Sequence, residues 1–207
     1  MERLKLRSYV VPTLAFILVF SLFVTSFFME STGNVEKQNE FVNDSILGNR
    51  LPVLNVKETM INPFTYSKVE IGKTYYDYKA SEEEQAKSIV KYDDTYMQNS
   101  GVDFICEDVF DVVSVLNGEV ISVVEDENLG TIVKIQHDNG YLSVYQSLKD
   151  VTVKKDDKVT QGQVIGKSST NKIDEALGNH LHFELYINNQ MVNPTEYLNK
   201  TINAKEN

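Results

Sequence analysis

A single cysteine, Cys106, serves the whole 207-residue chain, which rules out an intramolecular disulfide and any multi-cysteine zinc site. Cys106 closes an apolar run (Val102, Phe104, Ile105), the setting of a small packed hydrophobe, not of a reactive thiol. Histidine is almost as scarce: His137, His180 and His182 are the only three, so imidazole chemistry is confined to them. Basic residues are also in deficit, with 20 Lys and Arg against 30 Asp and Glu and a net charge of −10. Residues 1–29 hold Arg3, Lys5 and Arg7 against Glu2, a net +2, which leaves −12 on the other 178. A surface that acidic repels phosphate backbones and excludes nucleic acid as a partner.

What is present first is a long apolar run. From Tyr9 to Met29 there are 21 residues without a charge. As a helix they span about 31 Å, the thickness of a bilayer's hydrocarbon core. Arg3, Lys5 and Arg7 precede the run and Glu30 follows it, so the positive-inside rule puts residues 1–8 in the cytoplasm and the rest outside. Val24-Thr25-Ser26 is a poor signal-peptidase site, and Phe27, Phe28 and Met29 continue the apolar run past it; a retained anchor is expected. No cysteine follows to accept a lipid. Residues 30–55 are polar and sustain no apolar heptad, which reads as a flexible stalk, not a coiled coil.

The expected ectodomain begins with an extension, residues 56–96. It holds β-like material around Val56, Phe64, Tyr66, Val69 and Ile71, then Tyr75-Tyr76-Asp77-Tyr78, whose rings suit either a small half-buried sheet or stacking on sugars. Ser81-Glu82-Glu83-Glu84 predicts a capping box opening a short helix that buries Ala86, Ile89 and Val90. From about Met97 short strands alternate with turns. Strands are expected over 109–114, 119–124, 131–137, 141–146, 151–154 and 181–187, with shorter pieces at Val159, 163–166 and 191–192. Turn signals stand at Asn117-Gly118, Leu129-Gly130, Asn139-Gly140, Gln161-Gly162 and Asn188-Asn189. The expectation is a mainly β sandwich or barrel over 97–198, with a loose tail from Asn199 to Asn207.

The stretch that carries chemistry is His180-Leu181-His182-Phe183-Glu184. In a strand His180, His182 and Glu184 share one face and Leu181, Phe183 and Leu185 the other. Same-face neighbours lie about 7 Å apart, so one histidine can bind a metal while the other reaches a substrate or water beside it.

Gly101-Val102-Asp103, Asn117-Gly118-Glu119-Val120, His137-x-Asn139-Gly140 and Tyr145-x-x-Leu148 occur in the order seen in one family. Val159-x-x-Gly162-Gln163-x-Ile165-Gly166, Gly178 to Glu184 and Val192-Asn193-Pro194 continue that order. Over residues 97–198 the chain resembles the lysostaphin-type (LytM-like) zinc endopeptidases. The resemblance implies a duplicated hybrid motif barrel whose zinc cleaves peptide cross-links in peptidoglycan. It implies metal ligands at a His-x-x-x-Asp pair and at the second histidine of His-x-His, with helper histidines in Tyr-x-His-Leu and at the first position of His-x-His. Carried over, Asp103 and His182 are retained ligand positions and His180 a retained helper. Asn99 takes the first ligand position and Ser147 the other helper position. A catalytic zinc ordinarily has three protein ligands, and a serine hydroxyl is not a base near neutral pH. The expectation is therefore a pseudoenzyme with no cofactor, in which Asn99, Asp103, Ser147, His180 and His182 are vestigial positions.

Val144-Tyr145-Gln146-Ser147-Leu148, Val164-Ile165-Gly166-Lys167-Ser168 and Tyr92-Asp93-Asp94-Thr95-Tyr96 resemble the degenerate sporulation branch of this family. That resemblance implies a forespore membrane protein whose domain binds the ectodomain of a stage III sporulation protein across the space between forespore and mother cell, supporting engulfment and channel assembly. Three other readings stand beside it: a regulator of cell-wall amidases, a residual peptidoglycan endopeptidase, and a biotinyl-type carrier. The carrier lacks its Met-Lys-Met tip, and Lys134 falls in mid-strand.

Overall fold

A computed structural model describes residues 58–202. The expected cytoplasmic residues 1–8, the apolar run 9–29 and the whole expected stalk, 30–55, lie outside the described residues, as does the end of the tail. Among the described residues no helix is long and apolar enough to cross a membrane.

The described chain is mainly β. In order it forms β1 (Glu58–Thr59), β2 (Glu70–Lys73), α1 (Glu82–Lys87), β3 (Ile89–Tyr92), β4 (Thr95–Gln98), β5 (Val102–Ile105), β6 (Asp111–Val113) and β7 (Gly118–Asp126). There follow β8 (Gly130–His137), β9 (Tyr141–Lys149), β10 (Lys158–Val159), β11 (Val164–Ser168), β12 (His180–Ile187), β13 (Gln190–Val192) and β14 (Thr201–Ile202). The main sheet runs β10-β7-β8-β9-β12-β5-β2, with β11 joined to β6 and β9, and β13 to β12. Two ribbons, β1–β14 and β3–β4, stand apart from it.

Alternation along the strands sets what is buried. Leu181, Phe183 and Leu185 of β12 are fully buried on the core side, beside Tyr145 of β9, Ile135 of β8 and Val102 of β5. Each such side chain contributes about 2 kcal/mol of hydrophobic stabilisation. Left-handed turns fall where the residues tolerate them: Gly130 (φ +75°) between β7 and β8, and Asn188 and Asn189 (φ +51° and +63°) between β12 and β13. Gly101, at the entry to β5, admits no side chain because a Cβ there would collide with the Phe183 carbonyl.

Several expectations need correction. The capping box forms, Ser81 accepting from Glu84 and Glu84 reaching back, but α1 buries nothing. Ile89 and Val90 belong to β3, because the capped helix ends at Lys87 after six residues. The tail is not loose from Asn199: β14 pairs with β1, and Ile202 joins the core at 5% exposure. Residues 151–154 form no strand, since Asp150 and Asp156 adopt positive φ and turn the chain around that segment.

His137 lies at the end of β8 and is 4% exposed. Its Nδ1–H donates to the Asn117 carbonyl at 2.9 Å, and its Nε2 lies 2.7 Å from Ser143 Oγ. Ser143 bonds Tyr145 Oη at 3.1 Å, and that phenol accepts the Val115 N–H at 3.0 Å. Burial drives the His137 pKa down to about 4, against the opposing pull of the Asn117 carbonyl and Asp138. Burial also pushes the Tyr145 phenol up to about 12. The neutral chain ties the turn before β7 to β8 and β9.

An unfolded histidine protonates near pH 6.5, so between there and pH 4 the unfolded chain holds a proton that folded His137 refuses. Stability conferred by neutral His137 therefore falls as the pH drops through that window, by up to about 3 kcal/mol. Urea unfolding at about pH 7 and about pH 5 measures the loss, and His137→Gln shrinks it.

Candidate functional site

Register brings the site together. Across β2, β5, β12 and β9, Lys73 pairs with Asp103, Asp103 with His182, and His182 with Gln146. Directly paired residues share a face of a sheet, so these four form one row. Asn99 and Ser100, just before β5, close over the row, and the β11–β12 loop brings Asn171 and Asp174 to its rim. A cleft of about 380 Å³ results.

At its floor His182 lies between two carboxylates. Its Nδ1 bonds Asp103 Oδ1 at 2.8 Å, and its Nε2 faces Glu184 Oε1 at 3.3 Å. Asp103 and Glu184 are buried and His182 is partly so, with side-chain exposures of 3%, 9% and 12%. Burial opposes charge on the imidazole, but hydrogen bonds to Asp103 and Glu184, reinforced by their negative charges, lift its pKa to about 9. Burial likewise opposes charge on Glu184, whose bonds from His182, Ser100 and Tyr186 hold it down to about 2. At neutral pH the floor is an imidazolium between two carboxylates. Ser100 Oγ donates to Glu184 Oε1 at 2.5 Å and Tyr186 Oη to Oε2 at 2.9 Å.

Asn99 is 2% exposed. Its amide nitrogen donates to Asp103 Oδ2 at 2.9 Å and to the carbonyls of Gly101 and Thr74, each at 3.0 Å. All three neighbours are acceptors, so the NH₂ end faces Asp103.

The second pair lies deeper. His180 is fully buried; its Nδ1–H donates to the Gly178 carbonyl at 2.8 Å, which leaves Nε2 to accept from Ser147 Oγ at 3.0 Å and Asn171 Nδ2 at 3.1 Å. Asn171 also donates to Ser147 Oγ at 2.7 Å. His180 thus bonds neither Asp103 nor Glu184, although the strand alternation sets it on their face.

Tested against zinc, this donor set fits poorly. Asp103 and His182 have the right chemistry, but they are hydrogen-bonded to each other. A zinc between them would hold each donor at about 2.0–2.2 Å and needs the imidazole unprotonated. The third position presents N–H groups to the carboxylate instead of a lone pair. Ser147 lacks the basicity to move a proton.

Sequence reasoning selected Asn99, Asp103, Ser147, His180 and His182, and the fold gathers them as two adjoining sets, Asn99–Asp103–His182 and Ser147–His180. It missed Ser100 and Tyr186, which clamp Glu184, and Asn171, which covers Ser147. It also missed Lys73, whose ammonium pairs with Asp174 and donates to the Ile89 carbonyl at 3.2 Å. Ser100, Asn171 and Lys73 carry no local signal, since each is placed by a contact with a distant segment, whereas Tyr186 stands two residues from Glu184 on the same face of β12, where strand alternation could have found it.

The stability that His182 draws from its two carboxylates is complete below pH 6.5, where the unfolded imidazole is also protonated. It is lost as the pH rises through about 9. Glu184's share is complete above pH 4.5 and is lost as the pH falls through about 2. His182→Leu strands two buried carboxylates and is expected to cost about 3 kcal/mol or more, a loss measured by urea unfolding near pH 6.

Comparison with known proteins fits this geometry. Residues 97–194 match Peptidase family M23. Stage II sporulation protein Q of Bacillus subtilis (strain 168) is 39% identical over 140 residues, covering 67% of this chain and 50% of that protein. The chain thus spans half the length of that curated relative. A solved chain of the SpoIIQ–SpoIIIAH pore forming complex is 37% identical with a TM-score of 0.68, covering 70% of this chain and 94% of that one. A zinc containing peptidase from Vibrio cholerae shares the fold at 22% identity and a TM-score of 0.52, covering 66% of this chain and 39% of that one. The chain belongs to peptidase family M23.

Proposed function

We propose that this chain is a membrane-anchored, catalytically inactive M23 scaffold that binds the ectodomain of stage III sporulation protein AH. The observation that carries the reading is the likeness to a chain solved within the SpoIIQ–SpoIIIAH complex, over nearly the whole of that chain. The cleft supports it from the other side. Asn99 and Ser147 stand where catalysis needs imidazoles, and the remaining donors neutralise one another. In this reading residues 1–8 are cytoplasmic, 9–29 span the forespore membrane and 30–55 form a stalk. Residues 56–96 then lead into the 97–198 domain in the space facing the mother cell, where the pair supports engulfment and channel assembly. The positive flank of the apolar run supports that orientation.

The described residues, 58–202, lie within one compact unit. Expressed as a soluble fragment, they are expected to capture the partner ectodomain in a pull-down with or without chelator. Failure under both conditions, or digestion of purified cell wall by the zinc-treated fragment, overturns the reading.

Asn99→His tests the vestigial site. It restores a third imidazole or carboxylate donor, so zinc at about a hundredfold above its dissociation constant is expected to stabilise the variant by about 2.7 kcal/mol and leave the parent unchanged. Thermal melts with and without zinc distinguish the two.

A further inference from the structure

Gln146, the last member of the cross-strand row, is 9% exposed, and its side chain makes no hydrogen bond to any described residue. No fully buried side-chain nitrogen or oxygen among the described residues lacks a partner. The Gln146 amide therefore faces the cleft, which it lines. The other buried polar groups around the cleft are engaged: Asn99 with Asp103, Glu184 with Ser100 and Tyr186, and Asp174 with Lys73. An unpaired primary amide, nine-tenths buried, offers two donors and an acceptor to whatever enters.

Charge in the lining selects the visitor. Asp103, Asp126, Asp174 and Glu184 contribute four carboxylates, of which His182 and Lys73 offset two. No lysine or arginine lines the cleft. Asp126 is the carboxylate without a cationic partner; the N–H groups of Asn128 and Leu129, at 2.8 and 2.9 Å, hold its pKa low and keep it ionised. Val90, Met97, Leu129 and Ile173 supply apolar wall along which an alkyl stem can lie. Just behind the lining, Asp174 already holds one lysine: the Lys73 ammonium sits between Asp174 and the Ile89 carbonyl, with a side-chain exposure of 11%. The volume, about 380 Å³, falls at the small end of ligand clefts.

We propose that the cleft binds a lysine-bearing extended segment of a partner protein, Gln146 pairing with its main chain and Asp126 receiving the ammonium. Peptides rich in free carboxylates, as wall stem peptides are, meet uncompensated negative charge there and are disfavoured. The inference rests on the partner-binding reading for the source of the segment.

The test uses the full chain in detergent micelles and three fluorescent probes: acetyl-Ala-Lys-Ala-amide, the same peptide with Glu for Lys, and a soluble disaccharide-tripeptide from cell wall. Fluorescence anisotropy is expected to show the lysine peptide binding about tenfold or more tightly than either other probe. Gln146→Leu and Asp126→Asn are each expected to weaken it by about fivefold to tenfold. Melting temperature, measured on the same samples, should stay at the parental value for Asp126→Asn, whose side chain is exposed, while capture of the partner ectodomain weakens along with peptide binding. Equal binding of the lysine and glutamate peptides, tighter binding of the wall fragment, no binding at all, or parental affinity in Asp126→Asn overturns the proposal. If partner capture persists while the lysine peptide fails to bind, this inference falls and the scaffold reading stands; loss of capture by the parent chain sinks the scaffold reading instead.

Discussion

The arrangement on which the cleft depends is an imidazolium held between two carboxylates. Asp103 and Glu184 reach into a largely dry space, where an isolated carboxylate is costly. His182 offsets that cost with its own positive charge, bonded at 2.8 Å on one side and facing the other at 3.3 Å. Asn99, Ser100 and Tyr186 supply the remaining donors, so each carboxylate oxygen accepts at least one hydrogen bond. Here both carboxylates are satisfied from within, by side chains of the same chain. Breaking the triad is costly because it leaves a buried charge, not because the pair itself adds much stability.

That triad is positioned by sheet register and by the extension ahead of the domain. β2 supplies Lys73, which fastens the β11–β12 loop through Asp174, while β3 and β4 contribute Val90, Met97 and Gln98 to the cleft wall. The extension is thus part of the cleft and not only a link towards the membrane. The Lys73–Asp174 pair is shielded, unlike the exposed Lys87–Glu83 pair of α1, which is worth a few tenths of a kcal/mol at most. The loop so fixed also places Asn171 over Ser147 and His180, which leaves that pair covered and the floor of the cleft to His182 and Gln146.

Much of this was legible in the chain. Alternating apolar residues and Asn-Asn or Gly turns marked the long strands, because a half-buried strand has a period of two and a tight hairpin needs positive φ. The capping box at Ser81 could be read because it involves neighbours three residues apart. What it opened onto was misjudged: Ile89 and Val90 look like a continued apolar face, yet they pair across a hairpin with Gln98 and Met97. The tail from Asn199 was misjudged for a similar reason, since its strand exists only through a partner more than a hundred residues earlier.

The sequence by itself determined the inventory: three histidines, an asparagine and a serine where the family resemblance implies two more, an acidic composition and an apolar run long enough for a bilayer. Those are facts of residue type and spacing, and chemistry assigns them a meaning before any folding. Only the tertiary structure decided that His182 is charged, that Asn99 turns its N–H groups towards Asp103, that His180 bonds Ser147 instead of a carboxylate, and that Gln146 is left unpaired. Protonation and hydrogen-bond direction depend on which groups are brought within about 3 Å and how far water is excluded. Strands far apart in the chain settle both.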